Sequence, residues 1–183
     1  MIICLTGLCC SGKDTLAEYI VKKYQYKHYS LSNIIVNMLM KDCIEPTREN
    51  LISFAVELRK KEGNGILAKK VLEKIDDNSN YCISSIRHPD EIKEIRKIWY
   101  SILINVYASQ NIRFRRMCKR KRIGDPNTLD AFIKLENLEN KISCQQKVID
   151  MSDIMFSNDS NNIVDFEIAV EKLFKNIEDF KST

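Results

Sequence analysis

An α/β domain with a mainly parallel sheet is the fold class this chain predicts, and three observations carry the prediction. Short apolar runs of strand length alternate with stretches of helical spacing. The first run, Ile2-Ile3-Cys4-Leu5, leads straight into a loop bounded by Gly7 and Gly12. Leu16, Ala17, Ile20 and Val21 then recur at the interval of one helix face. Strand, glycine-bounded loop and helix, in that order, form the context a phosphate-binding loop requires.

The loop itself reads Gly7-Leu8-Cys9-Cys10-Ser11-Gly12-Lys13-Asp14-Thr15. Its two glycines let the backbone curl without a Cβ clash, so successive N–H groups turn inward as an anion nest. The helix that opens near Lys13 adds its positive dipole end, and the lysine ammonium reaches the outer phosphates. The bland alternative is a glycine-rich turn that merely joins strand to helix. The full spacing favours binding of a nucleoside triphosphate, with magnesium. Asp14 stands where a Ser or Thr normally supplies a hydroxyl to that metal, and Thr15 follows. A carboxylate is also a hard oxygen ligand, so either Asp14 or Thr15 can face magnesium. Cys9 and Cys10 fill variable loop positions, where amides at a helix end can lower a thiol pKa.

The remaining elements follow in order. Thr47 is a plausible N-cap for a helix carrying Leu51, Phe54, Ala55 and Leu58. Gly63-Asn64-Gly65 breaks it, and a second helix runs through Leu67, Ala68, Val71, Leu72 and Ile75. After the turn cluster 76–80, Tyr81 to Ile86 and Ser101 to Val106 read as buried strands separated by a helix from Asp90 to Ile98. Ile154-Met155-Phe156 is a last strand, and Phe166, Val170, Leu173 and Ile177 make a closing helix. Ligands of such sheets sit beyond the carboxyl ends of the strands, where the loop already lies.

Composition narrows the classes further. The chain of 183 residues fits a single domain, 1–183, with 44% hydrophobic and 30% charged residues. Met1 runs directly into the first strand and no apolar run reaches membrane-spanning length, which predicts a cytoplasmic protein without a membrane partner. Seven scattered cysteines without a C-x-x-C pair disfavour disulfide frameworks and zinc knuckles. A net charge of +4 suits a small anionic substrate without arguing for nucleic acid.

Two further regions can carry chemistry. Arg113, Arg115, Arg116, Lys119, Arg120, Lys121 and Arg122 form a basic run in which Arg113, Arg116 and Arg120 share a helix face. A solvated face or a nucleic-acid patch is the plain reading. Its position directly after a buried strand favours a lid whose guanidinium groups neutralise a transferring phosphoryl group. Asp125, Glu136 and Glu139 lie beyond it as counter-ions for an open lid. Arg87 is expected at the ligand-bearing edge of the sheet as a substrate clamp. Arg59 is divided between acceptor binding and offsetting a helix dipole. His28 reads as an ordinary edge residue.

These pieces resemble the P-loop kinases that include dephospho-CoA kinase and the nucleoside monophosphate kinases. The nearest likeness is to dephospho-CoA-kinase-like AAA-family ATPase domains, which also occur fused to deoxycytidylate deaminases. The likeness is carried by residues 29–35, 46–51, 57–59, 86–91, 113–125 and 153–160, beside the loop. It implies a three-layer P-loop kinase fold with a five-stranded parallel sheet and a helical lid at about 111–140. It also implies transfer of the γ-phosphoryl group of ATP to a small acceptor, and it admits a protein partner such as a deaminase. By the same likeness Asn158 lies near the adenine and Ser32 in the acceptor segment. Gly7 to Thr15 hold ATP, Lys13, Arg116, Arg120 and Arg122 act on the transferring group, and Arg59 and Arg87 hold the acceptor. The family usually has Asp where Asn33 and Ser84 stand and Arg where Val36 stands. An acceptor hydroxyl is normally positioned by such a carboxylate. Three functional classes follow: a small-molecule kinase, for a (deoxy)nucleoside monophosphate first and dephospho-CoA second; a degenerate kinase that senses ATP; and an RNA-binding factor, which the single aromatic Phe114 within the run disfavours.

Overall fold

The structure is a computed structural model that describes residues 1–120, 124–160 and 162–181. Five strands, β1 (Ile2–Thr6), β2 (Lys27–Ser30), β3 (Tyr81–Ser84), β4 (Ser101–Tyr107) and β5 (Ile154–Ser157), form one sheet in the order β2-β3-β1-β4-β5. Every pairing is parallel. The five-stranded parallel sheet expected from the resemblance is therefore present.

A parallel sheet covered on both faces needs strands that are apolar on both sides, and β1 is fully buried along its length. Its alternate residues feed two separate cores. Ile2 and Cys4 join Tyr81, Ile83 and Leu103 beneath α2 (Leu31–Lys41), α3 (Arg48–Glu62), α4 (Ile66–Leu72), α5 (Pro89–Ile98) and α8 (Gln145–Asp150). Ile3 and Leu5 join Cys82, Ile104 and Phe156 beneath α1 (Lys13–Tyr24) and α9 (Ile163–Lys181). Three layers result. Each fully buried Leu or Ile contributes about 1.5–3 kcal/mol, so register is strongly specified on both faces. Thr47 caps α3 as expected, its hydroxyl accepting from the amide of Asn50 at 3.2 Å.

Over the carboxyl ends of the strands lie α6 (Gln110–Arg120) and α7 (Leu129–Ser143), the helices of the expected lid. Phe114 and Phe132 pack at 5.7 Å between centroids, beside buried Met117. Residues 121–123 between the two helices, including the candidate Arg122, lie outside the described residues.

Two boundaries differ from expectation. The strand expected over Tyr81–Ile86 ends at Ser84, because Ser85 turns into the left-handed region at φ 66°. Ile86 then returns to the core and donates its N–H to Leu5, so Arg87 is the first side chain to leave. The second helix spans Ile66–Leu72 rather than reaching Ile75. β2 and α2 are not among the expected elements: β2 reads Lys-His-Tyr-Ser, a polar, largely exposed edge strand without apolar alternation, whereas α2 does bury Leu31, Ile35 and Leu39 at helical spacing.

Candidate active site

Two backbone positions fix the loop after β1. Gly7 has φ 136°, and a Cβ there would stand 2.3 Å from the Val106 carbonyl oxygen. Gly12 has φ 98°, and a Cβ would meet the Asn158 amide nitrogen at 2.1 Å. Both conformations and both close approaches require glycine. Gly12 caps α1 with no side chain to accept from its first amides, which leaves those N–H groups for an anion.

Lys13 opens α1 and folds back over the loop. Its Nζ donates to the carbonyls of Gly7 and Leu8, both at 2.8 Å, and stands 3.5 Å from Ser11 Oγ. Burial, reinforced by the nearby positive charge of Arg87, lowers its pKa to about 8. Asp14 and Thr15 follow in the first turn, both exposed. Among the described residues no three His, Cys, Asp or Glu side chains gather as a metal cluster. Magnesium typically uses one or two protein oxygens together with phosphates and water, so exposed Asp14 and Thr15 at the phosphate loop fit that mode.

The lid arginines face the loop rather than solvent. Arg113 is buried, donates to the Ala108 carbonyl at 2.9 Å and the Cys9 carbonyl at 3.4 Å, and forms an ion pair with Glu136. Arg116 donates to the carbonyls of Ser11 at 3.2 Å, Asn158 at 2.8 Å and Ser160 at 3.1 Å. Arg120 grips Asp125 through two bonds of 2.7 and 2.8 Å, with Cys9 Sγ 3.8 Å from its Nη2. The three-and-four spacing thus places three guanidinium groups of one helix face on one loop. Arg115 and Lys119 point outward. Asn158 is buried and ties the same loop to the end of β5: its amide Nδ2 donates to the Ser11 carbonyl at 2.8 Å.

Opposite the lid lies a second group. Arg48, which the sequence reading did not single out, opens α3 and donates to Glu139 at 2.6 Å and Asp125 at 3.4 Å. Arg87 approaches the other oxygen of Glu139 at 4.0 Å. One lid carboxylate thus sits between two arginines from separate elements. A cation at the first position of a helix opposes the helix dipole, and that mismatch is the local signal that marks Arg48. Arg59 is placed elsewhere: it donates to Glu91 Oε1 at 2.8 Å, and Glu91 is fully buried. The second oxygen of Glu91 accepts from the amides of Arg87 at 2.8 Å and His88 at 3.0 Å. Arg59 therefore acts through Glu91 on the turn that projects Arg87. Glu91, three residues after the His88 cap, is a capping-box acid readable in sequence.

Between these groups the ends of β2 and β3 carry hydroxyls. Ser32 Oγ lies 2.8 Å from Ser30 Oγ and 3.3 Å from Ser85 Oγ. Ser84 is fully buried, and its hydroxyl meets His28 Nε2 at 2.8 Å. His28 is exposed in the edge strand β2, in keeping with its reading as an edge residue. Partial burial of the ring lowers its pKa.

The two loop thiols are the most perturbed groups of the site. Their sulfurs are 3.8 Å apart. A hydrogen bond from Cys10, opposed by burial and assisted by Arg48, Arg120 and Lys13, draws Cys9 down to about 5. The same bond pushes Cys10 upward.

A model of the AAA domain matches residues 3–143. The chain belongs to the AAA domain family and to the UPF0200 proteins. Among the latter, the protein from Sulfurisphaera tokodaii is 33% identical over 96% of this chain and 97% of its own length. The one from Hyperthermus butylicus is 30% identical over 97% and 95%. This AAA-domain chain has the fold of P-loop kinases of known structure. A shikimate kinase from Bacteroides thetaiotaomicron superposes with TM-score 0.66 at 16% identity, covering 97% of this chain and 98% of the other. A gluconokinase from Sinorhizobium meliloti gives 0.57 at 12% identity, covering 99% and 97%. Among the described residues no helix is long and apolar enough to cross a membrane.

Proposed function

We propose that this chain is an ATP- and magnesium-dependent phosphotransferase acting on a small anionic acceptor, with a (deoxy)nucleoside monophosphate first and dephospho-CoA second. The observation that carries the reading is convergence. Lys13, Arg48 and Arg120 come from three helices to one glycine-bounded loop, and Arg87 stands near enough to help lower the Lys13 pKa. Cations gathered around an anion nest are what phosphoryl transfer requires, since catalysis there is mostly positioning and charge neutralisation. The inward aim of Arg113, Arg116 and Arg120 speaks against the basic run as an RNA surface.

The roles follow from position. Loop amides and Lys13 hold the triphosphate, while Arg116 and Asn158 fasten the loop to the end of β5. Arg120 leaves Asp125 to meet charge on the transferring group. Arg48 and Arg87, bridged by Glu139, hold the anionic part of the acceptor, and Arg59 positions Arg87 through Glu91. Ser30, Ser32 and Ser85 offer hydroxyls to the acceptor. Asp14 or Thr15 would hold magnesium, which neutralises phosphate charge when bound. Asp14→Ala should then remove the magnesium dependence of ATP affinity in calorimetry, with Thr15→Ala weaker; the reverse order moves the ligand to Thr15.

The deciding experiment measures ADP release across nucleoside monophosphates, dephospho-CoA, shikimate and gluconate, with and without magnesium. Turnover only with a sugar-type acceptor would overturn the nucleotide assignment. Asn33 and Ser84, where the resembling family has acids, favour a second reading, an ATP-sensing module acting on a protein partner such as a deaminase. Tight ATP binding without turnover on any acceptor would select it.

A further inference from the structure

The loop that surrounds the phosphate site also holds a feature that phosphate binding does not need. Cys9 and Cys10 sit side by side between the two glycines, both half-buried, so both are reachable from solvent. Their backbone is pinned: the Cys9 carbonyl accepts from Arg113 and the Ser11 carbonyl from Arg116. Cys10 adopts φ 60°, a left-handed conformation rare outside glycine, and the two sulfurs lie 3.8 Å apart. Cys9 Sγ then has two guanidinium nitrogens within reach, Arg48 Nη2 at 3.7 Å from α3 and Arg120 Nη2 at 3.8 Å from α6. Lys13 adds a third positive charge from α1. Asp125 is bonded to both arginines.

A neutral thiol gains little from two guanidinium forks, whereas a thiolate gains two charge-assisted contacts. We propose that Cys9 is a nucleophilic thiolate and a modification site for hydroperoxides and soft alkylating electrophiles, competing with nucleotide phosphate for the loop and the positive charge of Lys13. The competition rests on the phosphate-site reading above; the nucleophilicity does not. In the peroxide reaction the Cys9 sulfur attacks the distal peroxide oxygen, an S–O bond forms and the O–O bond breaks. The released alkoxide takes a proton from water. Cys9 loses two electrons to become a sulfenic acid, and the hydroperoxide gains them to become an alcohol. The added oxygen enlarges a side chain of the loop itself, beside Lys13, so oxidation takes up space and positive charge that a triphosphate would use.

The chain supplies its own references, since Cys43 and Cys118 are exposed. Labelling with iodoacetamide at pH 7, followed residue by residue by mass spectrometry, should modify Cys9 at least tenfold faster than either. Saturating ATP with magnesium should slow Cys9 alone. Treatment with tert-butyl hydroperoxide should raise the Kd for ATP at least tenfold in the wild type. In Cys9→Ser the ratio of treated to untreated Kd should return to about one, whatever that variant's own affinity. Labelling of Cys9 no faster than Cys118 overturns the proposal, and ATP binding by calorimetry in the same sample would leave the phosphate-site reading intact. Fast labelling that ATP does not slow supports the thiolate and overturns the competition.

Discussion

The two sides of the candidate site are built on different principles. On one side, the contiguous loop between β1 and α1, residues 7–12, forms the candidate anion nest from backbone, and its glycines are imposed by close approaches to Val106 and Asn158. On the other, the acceptor side is assembled from side chains of β2, β3, α3 and α7, with Arg48 and its Glu139 partner 91 residues apart. The first side matches the pattern of its fold almost residue for residue. The second differs from what the resembling kinases usually have, with Asn33 and Ser84 where those carry acids, and it holds Glu139 between the arginines. Backbone recognition of phosphate tolerates little change, while an acceptor pocket can be rebuilt one side chain at a time.

The largest test of that contrast is Lys13→Ala. Removing a cation aimed into the nest should lower ATP affinity by at least a hundredfold, about 2.7 kcal/mol, while circular dichroism shows the fold retained. Wild-type affinity in calorimetry would remove the phosphate-loop reading. Next in size is Arg120→Ala. Its guanidinium is held by Asp125 at rest, so its contribution belongs to the transferring group rather than to bound ATP. The expected result is a fall in kcat of more than tenfold, about 1.4 kcal/mol of barrier, with ATP affinity within a few-fold of wild type. A fall in ATP affinity with kcat unchanged would make Arg120 a ground-state contact and erase the difference between loop and lid.

How much was legible in the sequence follows the same division. The fold class, the loop, the Thr47 cap, the closing helix with buried Phe166 and Ile177, and the shared face of Arg113, Arg116 and Arg120 all rest on local spacing. They were readable because a helix face or a tight loop is written within a few residues. β2 was not, since a short polar edge strand carries no alternation. The end of β3 at Ser84 was not either, because a left-handed serine has no sequence mark. For Arg59 the sequence leaves acceptor binding and dipole offset both open, and its partner Glu91 lies 32 residues away, brought to it only by the tertiary fold. The His28–Ser84 pair depends likewise on strand order.

A smaller effect sharpens the acceptor side. Glu139→Gln keeps the shape of the side chain and removes the charge that now lies between Arg48 and Arg87. Any anionic acceptor must displace that carboxylate, so its removal should lower the acceptor KM several-fold, with kcat and ATP affinity little changed. An increase in KM would show that Glu139 organises the arginines rather than competing for them.

The last test is a pH dependence that both sides of the site share through Lys13. Burial and the charge of Arg87 hold its pKa at about 8 in the free protein, against 10.5 for an ordinary lysine. The unfolded chain therefore binds more protons than the folded one between pH 8 and 10.5. Fold stability carries a cost below pH 8 that is relieved as pH rises through this window. A bound triphosphate acts oppositely, since its charge favours the protonated ammonium and raises the pKa again. Binding above pH 8 must then take up a proton, and ATP affinity should fall with pH there, approaching tenfold per unit. Calorimetry at pH 9 in two buffers of different ionisation enthalpy reads that uptake directly. A value near one proton at pH 9 and near zero at pH 7 is expected, and Arg87→Gln should shift the onset upward because one repelling charge is gone. Equal heats in both buffers at pH 9 would mean that Lys13 keeps its charge beside Arg87, and the two sides of the site would then be electrostatically independent.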